Sequence, residues 1–255
     1  MKQLLTFLLF ALFLIPSLKA QVQYGTIDYI RTVEREIQFE GMEQNKEIKA
    51  MLAKMAAAGA FTENYKATFG PDGFTFVQQV KEATSMESEM AGGAVIVMET
   101  GGEDPSHFYT DVKNATVANT QYIFDKSFLV MGDAAQVSWT ITDEVVPPSD
   151  ATIGLDLTVA MGITQNGDTI TAGFAPSLPV QVGPQNIYGL PGAIITLTFP
   201  QKDGGSVVFR ATSMSLSTEP LELVKPTEGK KITPEKFSSE QKKRQRTMTR
   251  TIMRG

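Results

Sequence analysis

The stretch that decides the fold runs Gly183-Pro184-Gln185-Asn186-Ile187-Tyr188-Gly189-Leu190-Pro191-Gly192-Ala193-Ile194-Ile195-Thr196-Leu197-Thr198-Phe199. Pro191 fixes its own φ and pushes Leu190 toward extended backbone, and Gly192 is free to take positive φ. Leu190-Pro191-Gly192-Ala193 therefore reads as a type II turn, with Gly183-Pro184-Gln185-Asn186 as a second turn upstream. Beyond them Ala193, Ile195, Leu197 and Phe199 alternate with Ile194, Thr196 and Thr198, the period of a strand with one buried face.

Working outward, the same grammar repeats. Val207 to Thr212 pairs back across Asp203-Gly204-Gly205. Ile153, Leu155, Leu157, Val159 and Met161 alternate with Gly154, Asp156, Thr158 and Ala160, which puts Asp156 on the wet face. Asn166-Gly167 then supplies a hairpin turn in which both residues accept positive φ, and Ile170, Ala172 and Phe174 return. Tyr65, Ala67 and Phe69 alternate into Gly70-Pro71-Asp72-Gly73, after which Phe74 and Phe76 resume. Val22 to Phe39, His107 to Val112, Tyr122 to Val130 and Gln136 to Thr142 are further extended runs. Lys81 to Gly93 is polar and reads as a loop or short helix. The best helix is Glu43 to Ala58, where Ile48, Met51, Leu52 and Met55 recur at i, i+3, i+4, i+7 and Gly59 closes the run. Strands joined by short turns, with one main helix, predict a mainly β fold with an α+β tendency. We expect a curved or partly closed antiparallel sheet that buries one face and hides its edges.

The two ends differ from this body. Lys2, the apolar run Leu4 to Ile15, Pro16-Ser17 and the small Ala20 read as a secretory signal over residues 1–20, with an uncleaved anchor as the alternative. The apolar run falls short of the roughly 20 residues a membrane span needs. From Gln21 to Val224 there are 11 Lys/Arg against 25 Asp/Glu, a net of −14. From Lys225 to Gly255 there are 10 against 3, a net of +7. An acidic β domain over 21–224 thus carries a basic tail over 225–255, read as a linker plus helix or disordered segment. The chain has no Cys, which excludes thiol catalysis and thiolate metal sites. A body of this size buries about 70% of its unfolded surface and needs no disulfide.

The motif Tyr188-Gly189-Leu190-Pro191-Gly192 resembles the hallmark of the GLPGLI family of Bacteroidetes envelope proteins. The likeness extends to Ala172-Gly173-Phe174-Ala175-Pro176-Ser177-Leu178-Pro179-Val180, to Val137-Ser138-Trp139-Thr140-Ile141-Thr142-Asp143-Glu144, and to the charged ending Lys230-Lys231-Ile232-Thr233-Pro234-Glu235-Lys236-Phe237. The chain departs from the family pattern where Ala193-Ile194 follows the motif in place of Leu-Ile, and in lacking the Cys often found after the Trp. The resemblance implies a secreted or periplasmic protein, and no particular activity.

Candidate chemistry was weighed against plain structure. His107 is the only imidazole and no Gly-x-Ser-x-Gly elbow accompanies it, so it reads as a strand-end or loop residue. Glu103-Asp104 and Asp143-Glu144 are adjacent pairs, and strand neighbours point to opposite faces. A carboxylate-based hydrolase would have to assemble its pair from distant residues. No phosphate-binding glycine loop is present, and the sequence calls for no cofactor. Met51/Met55 and Met86/Met90 recur at i, i+4; the first pair is explained by packing, whereas Met86 and Met90 on a helix face would suit Cu(I). Ile187, Tyr188, Gly189, Leu190, Pro191 and Gly192 read first as a turn, and second as an apolar knob for a partner. Lys242, Lys243, Arg244, Arg246, Arg250 and Arg254 form a basic run suited to an anionic membrane surface or an acidic protein, or solvated as a tail. Nucleic acid is a poor partner for an exported acidic body. The favoured reading is a non-enzymatic binding or assembly module of the cell envelope, periplasmic or outer-membrane associated, engaging an apolar lipid-like ligand, a peptide or an outer-membrane protein.

Overall fold

The structure is a computed structural model that describes residues 24–34, 56, 59, 61–80, 84–89, 95–100, 105–123, 126–201 and 204–252. The signal-like segment, the helix expected over 43–58 apart from Ala56, Met90, Glu103-Asp104 and Arg254 lie outside the described residues.

The chain is mostly antiparallel sheet. The strands are β1 (Tyr24–Glu34), β2 (Thr62–Gly70), β3 (Gly73–Gln79), β4 (Thr84–Glu89), β5 (Val95–Thr100), β6 (His107–Asp111), β7 (Thr116–Ile123), β8 (Lys126–Asp133), β9 (Ser138–Val146), β10 (Leu157–Ile163), β11 (Thr169–Ala175), β12 (Ala193–Pro200), β13 (Ser206–Ser217) and β14 (Lys230–Ile232). Twelve of them form one sheet in the order β14-β8-β7-β6-β3-β2-β1-β13-β12-β11-β10-β9, and β4-β5 form a separate hairpin. A 3-10 turn spans Asp150–Thr152, and α1 spans Pro234–Ile252.

The hairpins expected around Pro71-Asp72 and between β12 and β13 form, with Gly70 opposite Gly73 and Pro200 opposite Ser206. Five local expectations are corrected. Residues 84–89 are a strand paired in register with 95–100, so the helix-face premise for Met86 and Met90 falls away. Residues 116–133 are two hairpin strands rather than one extended run from Tyr122 to Val130. Ile153 closes the 3-10 turn with φ 49°, so the strand begins only at Leu157. Its later parity is inverted: Ala160 and Gly162 face the core, while Met161 and Ile163 are exposed. A register break between β9 and β10 at Thr158/Ala160 marks the change. The β10–β11 turn places only Gly167, with φ 82°, in the left-handed region, so it is not the two-residue turn with both φ positive.

The sheet is open, with β14 and β9 as its edges. It is nevertheless bent. In sheet order β3 and β9 are seven strands apart, which a flat sheet would set at roughly 33 Å. Yet the Tyr188 ring packs edge-on against Phe74 of β3, 6.3 Å between centroids, and the Tyr188 carbonyl accepts a 3.0 Å hydrogen bond from Trp139 Nε1 of β9. The concave face therefore wraps residues 176–192. Leu178, Val180, Val182 and Leu190 of that segment are buried beside Tyr29, Phe76, Phe174 and Phe209. Each such side chain contributes about 1.5–3 kcal/mol by leaving water.

Candidate functional site

The double-turn loop is held from within. Pro184 accepts the Ile187 N–H at 3.1 Å, so the first turn centres on Gln185-Asn186, with Gln185 at φ 56°. The positive φ expected at Gly192 falls instead on Gly189, at 104°. Gly192 is needed for a different reason: a Cβ there would sit 2.2 Å from the Ala175 carbonyl oxygen. Gln181 staples the second turn, accepting from Gly189 N–H at 3.0 Å and donating to the Leu190 carbonyl at 2.9 Å. Leu190 is 1% exposed, and Ile187 and Tyr188 are half-buried. The loop is thus a core plug rather than an exposed apolar knob; within Ile187–Gly192 only Gly189 and Pro191 are exposed.

His107, at the start of β6, is half-buried and its Nε2 has no partner. Burial lowers its pKa below the usual imidazole value, opposed by a hydrogen bond with the Val224 backbone. No nucleophile–base pair is formed with it by any contact among the described residues. Asp143 and Glu144 are both exposed on edge strand β9. Met86 belongs to β4.

The basic tail supplies the site. After β13 the chain crosses the convex face: Lys225 Nζ lies 5.4 Å from the Tyr109 ring centre, and Thr120 Oγ1 donates to the Glu228 carbonyl at 3.3 Å. Gly229, at φ 112°, packs so tightly on β8 that a Cβ would meet Leu129 N at 2.8 Å. Lys230, Lys231 and Ile232 then pair in parallel with Phe128, Leu129 and Val130. Thr233 and Pro234 start α1, a proline position that costs no hydrogen bond. Phe237, 6% exposed, folds the helix onto Phe128 with ring centres 5.7 Å apart. Ile123, Val130 and Ile232 complete this second, smaller core.

Between α1 and the β8–β14 edge lies an open groove of about 980 Å³. Its walls carry Lys126 from β8, Lys230 and Lys231 from β14, and Lys236 from α1. Phe128, Met131 and Ile232 supply an apolar floor, and Ser127, Thr233 and Ser239 add hydroxyls. Glu240 is the single acid. The described ion pairs are Arg31–Glu63, Lys66–Asp28 and Lys113–Asp72, and none engages a groove lysine. The α1 backbone carries positions 242, 243, 244, 246 and 250 onward from the groove.

The sequence placed the basic site at Lys242 to Arg254; Lys230, Lys231 and Lys236 stood out only as part of a charged ending, and Lys126, far away in the chain, not at all. The usable signal was Ile232 and Phe237, two apolar residues inside a charged run.

No protein-family model and no curated protein matches the sequence. Among solved structures, the chain is similar to one described as "Structure of PNGF-II in P21 space group", with a TM-score of 0.49 and 12% identity over 87% of this chain and 34% of that one. The chain spans about a third of the length of that matched structure, and a likeness of this order carries no argument about function.

Proposed function

We propose that the protein is an exported, non-enzymatic binding module of the bacterial cell envelope, and that its C-terminal arm, β14 with α1, forms the binding element. The observation that carries this reading is the lining of the groove. Four ammonium groups over an apolar floor, with one carboxylate and no imidazole, make a surface suited to holding an anionic or amphiphilic partner. Proton shuttling asks instead for a pair of groups titrating near the working pH. The signal-like N-terminus and the GLPGLI resemblance support an envelope setting, periplasmic or at the outer membrane.

The test is to isolate the protein from envelope fractions under native conditions and weigh it by native mass spectrometry. A stoichiometric small ligand or a reproducible partner is expected. Bare protein from every fraction would count against a binding role.

A further inference from the structure

We infer that the groove between α1 and the β8–β14 edge binds the phosphate headgroup of an anionic phospholipid, seating the protein on a membrane surface. This rests on the binding-module reading and narrows it to one ligand class.

Charge complementarity selects the ligand. Lys126, Lys230, Lys231 and Lys236, from three different elements, line one concavity together with a lone Glu240. None of the four has an ion-pair partner among the described residues, in a body whose remaining sequence is strongly acidic. Lysine ammonium groups are point-charge donors suited to phosphate oxygens. The Ser127, Thr233 and Ser239 hydroxyls supply neutral hydrogen bonds of the kind a phosphodiester accepts.

The floor separates a lipid from a free ion. Phe128, Met131 and Ile232 leave apolar surface at the base of the groove, and Met131 is 38% exposed. An inorganic anion gains nothing from that surface, whereas the glycerol and first acyl carbons of a lipid would cover it. Beyond the groove the α1 backbone continues through positions 242, 243, 244, 246 and 250. A lysine close to an anionic bilayer strengthens partitioning about fivefold.

The experiment is co-sedimentation of the full chain with phosphatidylcholine vesicles, with and without phosphatidylglycerol. Binding is expected only with phosphatidylglycerol and should weaken as salt is raised. A groove variant, Lys126→Gln/Lys230→Gln/Lys231→Gln/Lys236→Gln, is expected to lose roughly several hundredfold in partitioning. A tail variant, Lys242→Gln/Lys243→Gln/Arg246→Gln/Arg250→Gln, should lose less. The substituted groove lysines are exposed, so an unchanged melting temperature checks that the variant is folded. Equal partitioning of groove variant and parent, or a loss confined to the tail variant, overturns the site. Release from vesicles by about 1 mM inorganic phosphate would show an isolated anion site and overturn the lipid assignment. Should vesicle binding fail while envelope fractions still yield a bound partner, the inference falls and the binding-module reading stands.

Discussion

Asn119 of β7 and Asn186 of the 176–192 loop exchange two side-chain hydrogen bonds. Asn119 Nδ2 donates to Asn186 Oδ1 at 2.8 Å, and Asn186 Nδ2 returns one to Asn119 Oδ1 at 3.1 Å. Asn186 also donates to Thr110 Oγ1 at 2.9 Å, and Asn119 accepts from Tyr109 N–H at 3.1 Å. Asn119 is 3% exposed and Thr110 fully buried. This polar clasp pins the loop to strands on the far half of the sheet. Asn119→Ala strands buried donors and acceptors and should cost about 1–3 kcal/mol in chemical denaturation. Because the two amides are mutual partners, the Asn119→Ala/Asn186→Ala double variant should be less destabilised than the two singles summed. Strict additivity would mean that the pair is not coupled.

Gly192 of the motif and Gly154 before β10 should respond in different ways. Gly192→Ala drives a methyl into the Ala175 carbonyl, backbone that cannot swing aside, and should destabilise by about 1–3 kcal/mol or more. Gly154 has φ 75° and open space around its missing Cβ, so Gly154→Ala meets only the left-handed backbone cost of about 1–2 kcal/mol. Thermal melts that ranked Gly154→Ala as the more damaging would contradict the packing account of Gly192.

Among the described residues, Phe237 is the one helix side chain that joins the second core. Phe237→Ala should remove about 3 kcal/mol from docking of α1 while leaving the main core intact. Limited proteolysis should then cleave within residues 234–243 at protease levels that spare the parent. A variant as resistant as the parent would show that the helix is held by other contacts.

His107 makes the strap over the convex face sensitive to acid. Burial lowers its pKa, so the unfolded chain takes up a proton before the folded one does. Stability therefore rises with pH across this range, and is lost as pH falls below about 6.5, the unfolded value, toward the lower folded one. His107→Gln should flatten that part of a stability–pH curve. If the variant and parent trace parallel curves between about pH 5 and pH 7.5, His107 is not the responsible group.

Much of the sheet was legible in residues whose neighbours along the chain are also their neighbours in space. Tyr65, Ala67, Phe69 and Phe74, Phe76 alternate cleanly around a Pro-Asp turn, and they pair as their spacing implies. Parity after Leu157 was misread because a register break is a two-strand event with no trace in the strand's own alternation. Gly192 was singled out correctly as special, but for torsional freedom, when the cause is a carbonyl contributed by Ala175 from another turn of chain. Residues 84–89 hold two Glu and a Met, which favour helix, and pairing with 95–100 overrides that preference. The site was the least legible part. Lys230, Lys231 and Ile232 are too short a run to show any period, and the parallel partner that gives them a role, Phe128 to Val130, belongs to the middle of the sequence.

Ile232 beside Val130 closes a long circuit of chain, and it does so after every other strand of the large sheet has been made. Its parallel pairing with Phe128–Val130 requires β8 to be in place, so the arm docks onto a scaffold at least that far formed. The four ammonium groups then gather only in a molecule that has finished maturing, and a half-assembled or clipped chain would carry the same lysines scattered and without a shared address.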